Sequence, residues 1–411
     1  MKSLSLMTGN AAAAWGARLA RVDYIPAYPI TPQTEIIETL SSWIRNGEMD
    51  AKLVQLESEH SMLTAAGAAS STGARVFTAT SSQGLLYGME MLYNITGWRA
   101  PLVLVNVSRA LAAPITLEPD HNDVLAARDS GFLQLHAENC QEIVDMILLS
   151  YRLAEDRKVM LPAIVNLDGF YLSFTRERVA LPDMKKVAEF LPEYNGSNPF
   201  RASRPVAKAS SVLSSNLYSY FRYQMHISSL NALSLLGRIS GEFESLFGRS
   251  YGPVEEFMTD DADYVLVMTN SFSTIGKQAV VRMRSRGVRA GLLRIRMLRP
   301  FPADAIASVL AGKRAVAVFD QNIAPGSGGI IYPEIVSSLY HLKNRPEDVF
   351  PVIGGLGGKQ ITMGEMEMIF EMMHKGHWSA EGPHSPLYLM RNDEIESVKK
   401  NLQIAGQVVR Q

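Results

Sequence analysis

Through roughly the first 180 residues, short apolar runs alternate with stretches of helical spacing. Tyr24-Ile25-Pro26-Ala27-Tyr28, Lys52-Leu53-Val54-Gln55-Leu56, Arg75-Val76-Phe77-Thr78-Ala79-Thr80, Pro101 to Val107 and Ala163-Ile164-Val165-Asn166-Leu167 read as strands. Between them, helical spacing covers Ala11 to Leu19, with Asn10 as the expected N-cap, then Glu35 to Trp43, Ser58 to Ser70, and one long helix from Gly84 through Ile95. Such alternation predicts a parallel sheet covered on both faces. Ligand sites in sheets of this kind lie beyond the carboxyl ends of the strands.

The pattern then breaks. Ser173 to Pro253 carries Pro, Asn and Ser clusters, Asn195-Gly196-Ser197-Asn198-Pro199 among them, followed by polar helical material around Leu230 to Leu246. It reads as an extended connection plus helices. A second α/β unit opens at Asp263-Tyr264-Val265-Leu266-Val267-Met268 and continues through Leu292 to Ile295, Ala315 to Phe319 and Val349 to Ile353. Residues after about Gly376 read as an arm, with Pro383, Pro386 and a closing amphipathic helix. A chain of 411 residues exceeds one ordinary core, so two or three domains are expected. No period of about 20 to 50 residues repeats, which argues against a solenoid.

Composition narrows the classes. Hydrophobic residues make up 47% and charged ones 20%, a globular balance. A net charge of -1 supplies no general field for nucleic acid or an anionic membrane. The clearest basic stripe, Arg282-Met283-Arg284-Ser285-Arg286, reads as the exposed face of a helix. No apolar run approaches the ~18 residues of a membrane span, and the start of the chain lacks the apolar core of a secretory signal, so a cytoplasmic protein is expected. Cys140 is the only cysteine. It is expected to be an ordinary buried helix residue, and one thiol cannot hold an iron–sulfur cluster that usually needs about four.

Several residues at strand ends carry chemistry. Glu57 and Glu59 follow a strand and open a helix rich in Ala and Gly. A carboxylate in such a place can share a proton with a ring nitrogen, or merely favour the helix dipole. Arg109 follows a strongly apolar strand, and its guanidinium matches a carboxylate; a structural ion pair with Asp120 or Asp123 is the alternative. Thr31, in Tyr28-Pro29-Ile30-Thr31-Pro32, offers a hydroxyl to the same anion or to its own turn. Ser81-Ser82-Gln83-Gly84 lacks the lysine of a phosphate-binding P-loop and is expected to contact a cofactor edge or another domain. Leu167-Asp168-Gly169 with Asn195 imitates the Gly-Asp-Gly and Asn of a thiamine diphosphate metal site, but the first glycine is missing and Asn195 does not follow a strand. It reads as a false match. The runs Gly326 to Gly329 and Gly354 to Gly358 read as tight strand–helix packing sooner than a nucleotide loop. The histidines show no metal-ligand spacing.

At these residues the chain resembles the alpha subunit of pyruvate:ferredoxin oxidoreductase and its 2-oxoacid relatives. The likeness runs through Tyr28 to Thr31, Glu57 to His60, Phe77 to Gly84, Arg109 to Ile115, Leu167 to Phe170, Leu298 to Pro302 and Gly354 to Gly358. The resemblance implies an α/β fold: a thiamine-diphosphate-type pyrimidine domain over residues 1–235, with an extended connection from about 173, then a transketolase C-terminal-like domain over 255–365 and an arm over 366–411. It implies that Glu59 faces the aminopyrimidine, that Thr31 and Arg109 hold the substrate carboxylate, and that Tyr28, Pro29, Ile30, Ser82 and Gln83 line the cofactor. It implies CoA-dependent oxidative decarboxylation of a 2-oxoacid, pyruvate first. A beta subunit would share the thiamine diphosphate and carry Mg2+ with the pyrophosphate, and gamma and ferredoxin-like delta subunits would complete the complex. The [4Fe-4S] clusters would belong to these partners. Tyr87 and Glu118 depart from the common pattern and keep an aromatic 2-oxoacid open as substrate. A non-catalytic structural subunit is the reading from another class.

Overall fold

The computed structural model describes residues 4–208, 210–376 and 385–404. Its first eight strands are β1 (Leu4–Thr8), β2 (Tyr24–Ala27), β3 (Lys52–Gln55), β4 (Phe77–Thr80), β5 (Val103–Ser108), β6 (Leu133–His136), β7 (Ala163–Asp168) and β8 (Arg176–Ala180). Strands β4, β5, β7 and β6 lie side by side and parallel. The parallel pair β2–β3 joins them through a bridge between Tyr24 and Val76. Every residue of β5 and β7 is buried, as expected where helices cover both faces. Strands β1 and β8 make a separate antiparallel pair.

A second sheet follows, built from β9 (Val254–Phe257), β10 (Tyr264–Met268), β11 (Ala290–Ile295), β13 (Ala315–Asp320), β14 (Asp348–Ile353) and β15 (Leu387–Tyr388). Its order is β15-β14-β13-β10-β11-β9, parallel except for β9. Strand β12 (Met297–Arg299) leaves this unit and pairs antiparallel with β6 of the first sheet. The two units are therefore joined by backbone hydrogen bonds as well as by side chains.

Local details differ from the expectations. Thr8, not Asn10, caps the first helix (Gly9–Leu19): β1 runs straight into it, and Thr8 Oγ1 accepts from Ala11 N at 3.1 Å. Asn10 lies inside the helix and donates to Pro32 O at 2.9 Å. The expected helix through Ile95 is two helices, Ser82–Tyr87 and Met89–Gly97, broken at Gly88, where a Cβ would overlap Leu63. The polar helical material of the connection belongs to one helix of 33 residues, Ser215–Phe247. Pro383 lies outside the described residues. No helix among the described residues is long and apolar enough to cross a membrane.

A buried ionic cluster locks the units together. Arg294, on β11, is fully buried and donates to Glu142 at 2.8 and 2.5 Å and to Glu255 at 2.7 Å. Arg296 reaches the same two carboxylates, and Lys277 reaches Glu138 and Glu255 at 2.7 and 2.6 Å. Glu138, Glu142 and Glu255 converge as metal ligands can, yet Lys277, Arg294 and Arg296 already neutralise them. Burial alone raises the Glu255 carboxyl, but Arg294, Lys277 and Arg296 outweigh it and hold it at about 2.

Arg294→Met leaves three carboxylates to share two cations, Lys277 and Arg296, and is expected to cost about 3 kcal/mol of stability, read as a lower urea midpoint. In the wild type, the Glu255 contribution is complete above about 4.5 and lost as pH falls toward about 2.

Candidate active site

The loops after β2, β3, β4 and β5 meet at the carboxyl ends of their strands. Glu59 opens the Glu59–Ser71 helix, whose cap is Ser58, with Ser58 Oγ accepting from Ser61 N at 3.2 Å. The cap turns the two neighbouring carboxylates in different directions. Glu57 binds the Ser61 hydroxyl at the surface, and that bond holds its carboxyl below the usual range. Glu59 is 6% exposed, and its carboxylate receives no hydrogen bond from any described residue. It points at Gly84: a Cβ there would lie 2.5 Å from Glu59 Oε1 and 2.6 Å from Thr80 Oγ1. Only glycine leaves this space open.

Arg109 comes off the end of β5 and is 7% exposed. Its Nη1 donates to the carbonyl of Thr31 at 2.7 Å and its Nη2 to Gln83 Oε1 at 2.9 Å. Burial disfavours the charged guanidinium, while Asp123 and Glu59 favour it. The expected ion-pair alternative is not what forms, because Asp123 takes the backbone of Arg109 and not its side chain. One Asp123 oxygen accepts from Arg109 N at 3.2 Å, Ser82 N at 3.0 Å and Asn106 Nδ2 at 3.1 Å. The other accepts from Ser108 Oγ at 3.0 Å and Val124 N at 2.7 Å. Ser82 sits at φ 49°, a region that side-chain-bearing residues seldom adopt, and its Oγ donates to Ala110 O at 2.9 Å. That conformation swings Gln83 toward Arg109.

Thr31 is placed beside Arg109, but through its carbonyl; the hydroxyl expected to donate has no partner among the described residues. Tyr28 and Ile30 contribute carbonyls that accept from Gln33, with Pro29 exposed between them. Buried Thr80 Oγ1, Ser81 Oγ, Gln83 Nε2 and Arg109 Nε lack partners among the described residues. Buried polar groups are rarely left so, and this concentration beside a free carboxylate fits a ligand with a protonatable ring and an anionic group.

Sequence reasoning missed the support beneath these residues. Asp168, at the end of β7, accepts from His121 Nε2 at 2.7 Å, Asn270 Nδ2 at 3.3 Å and Ser271 N at 3.0 Å. Both its oxygens are thus spent on joining the two units. Asn195 lies against Gly73, ahead of β4, at the opposite end of the sheet from Asp168. Burial opposes a charge on His121, but Asp168 outweighs it and the imidazole is raised above 6.5. The neighbouring His136 is driven the other way, to about 3, by burial and by the His121 charge. The second glycine run seats the loop that follows Arg109: Gly358 N donates to Pro119 O at 2.8 Å, and Tyr171 Oη donates to Gly358 O at 2.6 Å. Gly358 has φ 80°, and a Cβ there would overlap Glu118. Gly329, in the first run, packs against Asp320, which accepts from Ile331 N at 2.8 Å and Tyr332 N at 3.1 Å at the start of the Ile331–Leu339 helix.

The family model described as pyruvate flavodoxin/ferredoxin oxidoreductase, thiamine diphosphate-binding, matches residues 15–234, and that of pyruvate:ferredoxin oxidoreductase core domain II matches residues 262–366. The chain belongs to the pyruvate:ferredoxin oxidoreductase family. It is 40% identical over 366 residues to pyruvate synthase subunit PorA of Methanothermobacter thermautotrophicus, covering 89% of this chain and 94% of that one. It is 38% identical over 372 residues to ketoisovalerate oxidoreductase subunit VorA of Pyrococcus horikoshii, covering 90% and 93%. Among solved structures, 2-oxoglutarate:ferredoxin oxidoreductase from Magnetococcus marinus matches with a TM-score of 0.70 at 19% identity, over 90% of this chain and 65% of that chain. A split-gene transketolase matches with a TM-score of 0.52 at 9% identity, over 90% and 99%. These two show a shared fold, with a mixed α/β architecture and parallel sheets.

Gly84→Ala fills the space in front of Glu59 and is expected to weaken thiamine diphosphate binding by about tenfold or more, measured calorimetrically on the assembled enzyme, with an unchanged circular dichroism spectrum. The His121–Asp168 contact contributes fully below the ordinary histidine value of 6.5 and is lost as pH rises through the raised value. Urea midpoints measured from pH 6 upward are expected to decline more steeply in the wild type than in His121→Gln.

Proposed function

We propose that this chain is the subunit of a CoA-acylating 2-oxoacid oxidoreductase, acting on pyruvate, that holds the aminopyrimidine side of thiamine diphosphate and the carboxylate of the oxoacid. The observation that carries the reading is the buried Glu59 carboxylate, which accepts no hydrogen bond from a described residue, faces Gly84 and lies within electrostatic reach of Arg109. Bound thiamine diphosphate supplies the carbon nucleophile and electron sink of the decarboxylation. Glu59 holds the proton shared with the pyrimidine ring. Arg109 binds the oxoacid carboxylate, with its fork oriented by the Thr31 carbonyl and Gln83. Tyr28, Pro29, Ile30 and Ser82 shape the two loops that flank the cradle.

The chain's own residues favour a companion for the rest. Asp168 is committed to His121, Asn270 and Ser271, and Cys140 is a lone buried thiol whose pKa is raised by burial. A beta subunit with Mg2+, the pyrophosphate site and a [4Fe-4S] cluster, joined by gamma and ferredoxin-like delta subunits, meets both needs in the cytoplasm. Relatives named for pyruvate and for ketoisovalerate lie at 40% and 38% identity, so identity alone does not separate their substrates. Tyr87, which kept an aromatic substrate open, is 62% exposed and packs beside His60. Relatives named for pyruvate synthase match at 36–40% identity, and pyruvate is the first candidate.

In the assembled enzyme, Arg109→Lys loses the planar fork. It is expected to cost about 2 kcal/mol, roughly thirtyfold in kcat/KM for pyruvate and mostly through KM. Glu59→Gln is expected to lower kcat by about a hundredfold or more with subunit composition intact. Wild-type turnover in both variants would leave only a structural role for the chain.

A further inference from the structure

The Ser215–Phe247 helix is two things in one. From Ser228 onward it packs on the first unit, burying Ala232, Leu236, Ile239, Phe243 and Phe247 along one stripe. Ahead of that point it projects. Residues 215–223 are exposed on every face of the helix, although Leu217, Tyr218, Tyr220, Phe221 and Tyr223 lie among them. A helix that is apolar all round is ordinarily covered, and aromatic patches of this kind mark interaction surfaces. Alongside it, a groove of about 770 Å³ runs between Tyr218, Phe221 and Arg222 on one side and Tyr93, Trp98 and Arg99 on the other.

Charge says what covers it. Residues 194–241 contain no Asp or Glu in a chain whose net charge is -1. Arg201, Arg204, Lys208 and Arg222 fall in the same stretch, and none makes an ion pair with a described residue. Lys208 lies over the ring of Phe200 at 5.6 Å, and burial lowers its pKa. A second copy meeting this face about a two-fold axis would set like charges together. A partner with an apolar ridge and an acidic rim would satisfy both the rings and the cations.

Position separates this surface from the catalytic cradle. Trp98 and Arg99 precede β5, and Arg99 donates to the carbonyls of Val159 and Met160 ahead of β7. The groove is therefore at the amino ends of the strands, and Glu59 and Arg109 are at the carboxyl ends. We propose that the projecting start of this helix, with the acid-free segment before it, is the docking site for an acidic-rimmed partner subunit, apart from the face that holds the cofactor. The proposal rests on the reading of the chain as one subunit of a complex.

Two double variants test it in the co-expressed complex: Tyr218→Ser with Phe221→Ser, and Lys208→Glu with Arg222→Glu. Native mass spectrometry is expected to show one companion subunit lost from both, with its affinity reduced about tenfold or more, and high salt to release the same subunit from the wild type. The melting temperature of the isolated chain should not move, since these side chains pack on little of the body. Retention of every subunit by both variants would overturn the proposal. So would a wild-type chain that dimerises alone and becomes monomeric in either variant, because the occupant would then be a second copy. Since the readout is composition and not turnover, failure here is distinguishable from failure of the catalytic reading.

Discussion

One buried carboxylate, Asp123, sets the relation between the two loops that matter most. It accepts from the backbone of Ser82, just past β4, and of Arg109, just past β5. Five hydrogen-bond donors surround it, so burial of its charge is compensated even though burial raises its pKa. With those two amides pinned to one side chain, the left-handed turn at Ser82 and the direction of Arg109 are fixed together. The Arg109 Nε then has no partner among the described residues, and no described carboxylate hydrogen-bonds the guanidinium, although Asp123 and Glu59 favour its charge.

The second unit works on the same loops from outside. Asp168 and His121 bind the two units beneath the site, while Gly357 and Gly358 hold the segment from Pro119 to Asp120. On the far side, the Arg294 cluster and β12 make the same junction by charge and by backbone. The geometry of Arg109 thus depends on contacts distributed across both units. This explains why one α/β layer alone does not contain the whole support of the site.

Much of the architecture was legible. The strands at Tyr24, Lys52, Phe77, Val103 and Ala163 announce themselves as apolar runs, and their helical separators require parallel pairing. Glu57-Ser58-Glu59 showed that a carboxylate stands at a helix start, yet not which one turns inward; the Ser58 cap and the space at Gly84 decide that. Asp123 was legible only as an ion-pair candidate for Arg109 and not as the acceptor of two loop amides, and His121 and the crossing of β12 left no local signal, because each acts through partners distant in sequence. Asn10 was misread as a cap because β1, a short and half-exposed strand, gives little periodicity from which to place the helix start. The acid-free stretch from 194 to 241 was visible in the sequence, but its meaning needed the helix that projects from the fold.

On the proposed function, Glu59 and Arg109 serve one cradle from two sides. The most direct measurement is the structure of the assembled enzyme with thiamine diphosphate and pyruvate, trapped before turnover in the absence of coenzyme A. The aminopyrimidine ring is expected against the Glu59 carboxylate and the pyruvate carboxylate on the Arg109 guanidinium. Cofactor density away from Glu59, or a pyruvate held by other cations with Arg109 still closed on Thr31 and Gln83, would contradict it.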